Sequence, residues 1–187
     1  MRIVGGKFKG REIVAPQGRD TRPTSDRTRE SVFNVLAHAD WSPGVEERRV
    51  LDLFAGSGAL GLEAMSRGAA FALFVETEVS ARGAIRDNIE ALGLFGNTRI
   101  HRRDATDLGI KPAGLGEPFD LVFLDPPYGK HLGERALSCL SEGGWITPDA
   151  IIMLEVGADE TPLTPSFETL DDRAYGAAKV IFLKPLA

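Results

Sequence analysis

The sequence predicts an α/β fold: a Rossmann-like parallel sheet with helices on both faces and a small β-hairpin extension at the amino terminus. Three observations carry this. From Val50 onward, short apolar runs alternate with segments of helical periodicity, the pattern of a covered parallel sheet. The run Val50-Leu51-Asp52-Leu53-Phe54 enters a glycine turn, Gly56-Ser57-Gly58-Ala59-Leu60-Gly61, and then a helix. Acidic residues, Asp52, Glu76, Asp104 and Asp125, follow or close successive predicted strands. Ligands of such sheets bind at the carboxyl ends of the strands, so four carboxylates there mark a site.

Taken in order, residues 2–4 and 11–14 read as two short strands flanking the turn formers Gly5, Gly6 and Gly10. A hairpin this small must lean on something to be stable. Residues 16–23 form a connector broken by Gly18 and Pro23. Thr24, Ser25 or Asp26 caps a helix running to about His38, with Val32, Val35 and Leu36 on one face. Glu46-Glu47-Arg48-Arg49 reads as a solvated approach to the first strand. A helix over 59–67 and a buried strand over 71–76 follow. Thr77 is the expected cap of the next helix, whose apolar stripe is Ala81, Ile85, Ile89 and Leu92 and which Gly93 ends. Strands over 98–102, 119–124 and 151–156 come next, with a helix over 132–140 between the last two. Two further strands, 167–170 and 179–183, meet at a Tyr175-Gly176 turn, and strand after strand implies an antiparallel hairpin at one edge.

The totals bound the function. A chain of 187 residues, 43% hydrophobic and 26% charged, has apolar material for one sizeable core. No apolar run reaches the roughly 20 residues of a membrane span, and residues 1–7 lack the hydrophobic centre of a secretory signal, so the expected compartment is the cytoplasm. The single cysteine, Cys139, excludes an intramolecular disulfide, and its apolar neighbours predict a buried thiol. His38, His101 and His131 lack metal-ligand spacing, so no metal is expected. The net charge of −5 argues against nucleic acid, but its distribution does not: residues 1–30 hold eight basic and four acidic residues, leaving 14 basic and 23 acidic for the rest. That is a basic arm, residues 1–23 with the start of the first helix, on an acidic body, residues 24–187.

Gly56 and Gly58 let the backbone turn sharply and approach a ligand, while Gly61 lets helix and strand pack closely. With Glu76 at 20 positions after Gly56, the stretch matches the dinucleotide fingerprint and points to a nucleoside-bearing cofactor without saying which. Asp125-Pro126-Pro127-Tyr128 narrows the chemistry. Two prolines fix φ and remove two backbone donors, leaving carbonyls beside an acceptor-only carboxylate and a flat ring. That set suits a planar group bearing an NH₂. Accepting one amine hydrogen on Asp125 and one on the Pro126 carbonyl localises the nitrogen lone pair for attack on an activated methyl group. Tyr128 stacks on the base, and Asp125 faces the positive charge that grows on nitrogen.

With these residues in view, the chain resembles the RsmD family, bacterial enzymes that methylate a guanine N2 of 16S ribosomal RNA using S-adenosylmethionine. The resemblance rests on residues 52–61 with Glu76, Asp104-Ala105 and Asp125-Pro126-Pro127-Tyr128. It rests also on Arg2-Ile3-Val4-Gly5-Gly6, Lys9-Gly10-Arg11, Arg22-Pro23-Thr24-Ser25-Asp26-Arg27 and Arg29-Glu30-Ser31-Val32-Phe33-Asn34. It implies the seven-stranded class I methyltransferase sheet. It also implies that Asp52, Phe54, Gly56 and Gly58 surround the methionine end of the cofactor, that Glu76 holds the ribose hydroxyls, and that Asp104 and Ala105 meet the adenine. Asp125, Pro126 and Tyr128 would handle the target base, and Thr24, Asp26 and Arg27 would close over cofactor or substrate. Lys7, Lys9, Arg11 and Arg22 would touch phosphates, which position RNA without reading it. The acidic body favours an assembled or partly assembled 30S particle over naked RNA, and a monomeric enzyme is expected. Guanine over adenine rests on the resemblance alone. The rivals are the same transfer to adenine or cytosine in DNA or another RNA, or to a protein amide, a nicotinamide dehydrogenase, and a non-catalytic RNA-binding module. The dehydrogenase has no use for Asp125-Pro126-Pro127-Tyr128 and no room here for a second substrate domain.

Overall fold

Along the strand Arg49–Leu53 (β1), Leu51 and Leu53 join one apolar cluster and Val50 another, so side chains alternate between the two faces of a sheet covered on both sides. The structure, a computed structural model, describes residues 1–17 and 24–187. Arg22, expected to touch phosphate, lies outside the described residues. After β1 come the helix Ala59–Ser66 (α2), the strand Phe71–Val75 (β2), the helix Val79–Leu92 (α3) and the strand Thr98–His101 (β3). The helix Asp26–His38 (α1) precedes them all. The strands Phe119–Leu124 (β4), Ile146–Gly157 (β5), Phe167–Tyr175 (β6) and Ala178–Pro185 (β7) complete the sheet, with the helix Leu132–Glu142 (α4) between β4 and β5.

The seven strands lie in the order β3-β2-β1-β4-β5-β7-β6. β1 to β5 pair in parallel, and β7 runs antiparallel between β5 and β6, as the edge hairpin predicted. One face packs on α1, α2 and α3 through residues such as Phe33, Leu62 and Ile85. The other packs on α4 and on Trp145 through Leu53, Leu124 and Leu154. Leu53 pairs with both Val75 and Leu124, and Leu124 pairs with Leu154. The carboxyl ends of β1 to β4 are therefore level, and β5 runs three residues further, to Gly157. Strand order reverses between β1 and β4, the point of such a sheet over whose carboxyl ends ligands bind. No helix among the described residues is long and apolar enough to cross a membrane.

Four local expectations are revised. The amino-terminal hairpin forms, with Ile3 N–H donating to the Arg11 carbonyl at 2.9 Å and Ile13 N–H to Met1 at 2.8 Å, but it holds only one isolated bridge, Arg2 to Glu12. Four of its donors are diverted to α2: Val4 and Gly5 N–H go to the Glu63 carboxylate, Lys7 N–H to the Ser66 carbonyl and Phe8 N–H to Ser66 Oγ. Gly6, at φ +76°, sits so close that a Cβ would lie 2.0 Å from the Ser66 oxygen. The approach to β1 is solvated only at Glu46 and Glu47, and its two arginines are packed. Arg49 lies 4.8 Å over the Phe71 ring and 5.0 Å over Phe119, and Arg48 pairs with Asp120 at 3.4 Å. Glu78, not Thr77, is the cap residue of α3, and its N–H is taken by Glu76 Oε2 at 2.9 Å. Cys139 is half-buried, because it flanks rather than faces the buried stripe of Ala136, Leu137 and Leu140.

Candidate functional site

β1 ends in a turn of unusual backbone: Phe54, Gly56 and Gly58 all have positive φ, at 56°, 58° and 81°. The three glycines divide the work. A Cβ on Gly56 would meet nothing within 4 Å, so this backbone faces open space that a ligand can occupy. A Cβ on Gly58 would crowd Phe74 at 3.2 Å, and one on Gly61 would strike Phe74 at 2.4 Å and Asp52 Oδ2 at 3.1 Å. Gly61 is thus the packing glycine that its sequence position predicts.

Two acidic side chains hold this turn. Asp52 is buried on the α2 face, and its Oδ2 accepts the Gly61 N–H at 3.0 Å. Burial pushes its pKa up to about 8 against that hydrogen bond, with the neighbouring Glu76 charge pushing the same way. Glu76 reaches back from β2 so that Oε1 accepts the Gly56 N–H at 2.9 Å. At the end of the next strand, Asp104 Oδ1 accepts the Thr106 hydroxyl at 2.7 Å and the Thr106 N–H at 2.8 Å. The hydroxyl bond first, then the amide bond, holds its carboxyl below the usual range. Ala105 beside it is buried.

Asp125 follows β4 directly, and its Oδ2 accepts the Thr24 hydroxyl at 3.0 Å across 101 residues of chain. Pro126 is buried, Pro127 exposed and Tyr128 half-buried. Tyr128 lies against Gly157, where a Cβ would come 3.5 Å from Tyr128 Cδ2. A cavity of about 110 Å³ opens beside Pro126 and Tyr128, walled by Leu132, Leu154 and Glu160.

The expected residues thus separate into groups. Asp52, Phe54, Gly56, Gly58 and Glu76 gather around one turn, with Asp104 and Ala105 past the end of β3 and Asp125, Pro126 and Tyr128 past the end of β4. Asp26 accepts from Arg29 at 2.9 Å and Arg27 is exposed at the start of α1. Lys7 and Lys9 lie in the hairpin docked at the carboxyl end of α2. Arg11 Nη2 donates to the Ala91 carbonyl at 2.7 Å, at the far end of α3.

Several residues escaped sequence reasoning. Glu160 clasps the loop after Tyr128 to the end of β5: Oε1 accepts the Gly129 N–H at 2.7 Å, and Oε2 accepts the Gly157 N–H. Glu155 lies within β5 one residue past Leu154, as Asp125 lies one residue past its register partner Leu124, and is buried. Arg29 and Glu63, both fully buried, form an ion pair at 3.3 Å. The one available signal was Glu63 itself, an acid within the otherwise apolar run of α2.

The family model for Conserved hypothetical protein 95 matches residues 1–184. Ribosomal RNA small subunit methyltransferase D of Escherichia coli K12 is 39% identical over 155 residues, covering 83% of this chain and 74% of the relative. The protein of the same name from Haemophilus influenzae is 34% identical over 171 residues, covering 91% and 86%. Among solved structures, yhhF from Escherichia coli, a candidate methyltransferase, superposes with a TM-score of 0.83 at 33% identity, covering 100% of this chain and 98% of that one.

Proposed function

The chain belongs to the RsmD family, and from that membership we propose that it methylates the exocyclic N2 amine of a guanine in 16S ribosomal RNA. It is an S-adenosylmethionine-dependent methyltransferase of small-subunit ribosomal RNA, like the relatives named for that activity. The observation that supports the chemistry is the level edge: the glycine turn after β1 and the Asp125-Pro126-Pro127-Tyr128 loop after β4 adjoin at the point where strand order reverses.

The donor set fits S-adenosylmethionine. Gly56 leaves room for a ligand against the backbone, and Glu76 brings two carboxylate oxygens to the same turn, suited to a pair of ribose hydroxyls. Asp52 and Phe54 flank the methionine end, and Asp104 with the Ala105 N–H takes the adenine. When bound, the cofactor supplies an electrophilic methyl group on a sulfonium. Asp125 and the Pro126 carbonyl accept the two hydrogens of the target amine, which draws the nitrogen lone pair out of the aromatic system. Tyr128 holds the base flat. As positive charge develops on nitrogen, the Asp125 carboxylate stabilises it from a fixed position and later receives a proton.

In this reading residues 1–23 are an RNA-binding arm and residues 24–187 the methyltransferase domain. The substrate is the guanine in an assembled or partly assembled 30S particle, and the enzyme works as a cytoplasmic monomer that needs no metal. Incubating unmethylated small subunits with enzyme and cofactor, then mapping the modified nucleotide by mass, is the test. One methylated guanine in 16S RNA is the expected result. Methyl transfer only to adenine, to DNA or to protein would overturn the assignment of the acceptor.

A further inference from the structure

The stretch Thr24-Ser25-Asp26-Arg27 has more polar side chains than a helix start requires. Ser25 alone performs the capping: its Oγ accepts the Thr28 N–H at 3.0 Å. Asp26 serves Arg29. Thr24 is left out of the cap, yet it is buried, and its hydroxyl donates to Asp125 Oδ2 at 3.0 Å. Its carbonyl accepts Arg29 Nη1 at 3.4 Å. Arg29 is itself immobilised: Nε reaches Glu63 at 3.3 Å, and Nη2 serves Asp26 and the Arg2 carbonyl. Glu63 in turn takes the Val4 and Gly5 amides at 2.9 Å each. A continuous chain of buried and partly buried polar contacts therefore runs from the hairpin through α2 and α1 to one residue that touches the Asp125 carboxylate.

We propose that Thr24 is a positioning residue for Asp125: it sets the orientation of the carboxylate before the base arrives and does not bind the substrate. The reason is geometric. A carboxylate on a flexible side chain turns about two bonds, and a charge-assisted hydrogen bond from a fixed donor selects one orientation, so no reorganisation is left for the moment of transfer. The proposal rests on the reading of Asp125 given above.

The two roles open to Thr24 separate in kinetics. A direct substrate contact shows in KM for the particle, and a positioning contact shows in kcat. The experiment compares Thr24→Val, Thr24→Ser, Asp125→Ala and the double variant Thr24→Val/Asp125→Ala on unmethylated small subunits. Melting temperature and cofactor affinity by calorimetry are measured alongside. Thr24→Val keeps the shape and loses the donor, so kcat falls roughly 10- to 100-fold, the scale of a hydrogen bond to a charged group. KM, cofactor affinity and melting temperature stay at their wild-type values. Thr24→Ser restores the donor and the rate. The double variant is no slower than Asp125→Ala, because the hydroxyl has nothing left to position. A Thr24→Val enzyme with normal kcat, a Thr24→Ser enzyme as slow as Thr24→Val, or losses that multiply in the double variant would each overturn the proposal while Asp125→Ala stays slow. A fully active Asp125→Ala enzyme would instead remove Asp125 from the chemistry, and the positioning role with it.

Discussion

Asp52 is a carboxyl 1% exposed, whose single strong partner is one backbone N–H. With its pKa pushed up to about 8, it stays protonated in the folded chain at pH values where the unfolded chain has already lost the proton. The native state then binds more protons than the unfolded state between about pH 4 and about pH 8, so stability drains away as pH rises through that window. Asp52→Asn keeps an oxygen for the Gly61 N–H and cannot ionise. Urea denaturation at a series of pH values should show the variant gaining on the wild type from pH 4 upward, at up to about 1.4 kcal/mol per pH unit, and levelling off above pH 8. A difference independent of pH would place the proton elsewhere. The turn around this residue was readable in the sequence because glycine spacing is a local property. The elevated pKa was not, since it follows from the burial of Asp52 beneath α2.

At the scale of elements, α2 joins everything. It starts directly from the glycine turn, Gly61 lets it lie on Phe74, and Glu63 and Ser66 receive the hairpin. Glu63 accepts four hydrogen bonds, from Val4, Gly5, Arg29 and Arg67, and is fully buried. Each carboxylate oxygen has two donors, so the desolvation cost of the charge is offset only while all of them stay in place. Glu63→Ala should cost about 3–5 kcal/mol, the penalty of leaving the buried Arg29 guanidinium with only the partly exposed Asp26 as counter-charge and stripping Arg67 and two amides of their acceptor, read as a lower urea midpoint. Loss below about 1 kcal/mol, the range of an exposed pair, would mean that the cluster is hydrated. The helix itself was legible from its place after the glycine turn. Its role as the hairpin's anchor was not, because an acid in an apolar run has no sequence neighbour that identifies its partner, and Arg29 had been counted with the basic arm.

At the scale of the molecule, charge and site occupy different ends of α2. The hairpin with Lys7 and Lys9 docks at Ser66, while the glycine turn lies at the helix start, about 12 Å away for eight residues. With the base placed at Asp125 as proposed, RNA that also meets these lysines lies along the flank of the molecule. Lys7→Ala with Lys9→Ala should raise KM for the particle, leave kcat intact and flatten the salt dependence of binding by roughly two counterions. An unaltered slope would show that the arm touches no phosphate. Arg11, bonded to Ala91, is expected to contribute less than either lysine.

What the sequence by itself determined was the succession of strands and helices, the glycine turn, and the placing of an acid at the end of each of four strands. Those are short-range properties: periodicity and turn chemistry are set within a few residues, and each strand end announces itself by the residue that follows. What only the tertiary structure decided was which ends meet. Strand order, the level register of Leu53, Leu124 and Leu154, the clasp of Glu160 on Gly129 and the bond from Thr24 to Asp125 all join residues far apart in the chain. Such pairings arise because the sheet must bury both faces at once, and that condition acts on the folded chain as a whole rather than on any local run of residues.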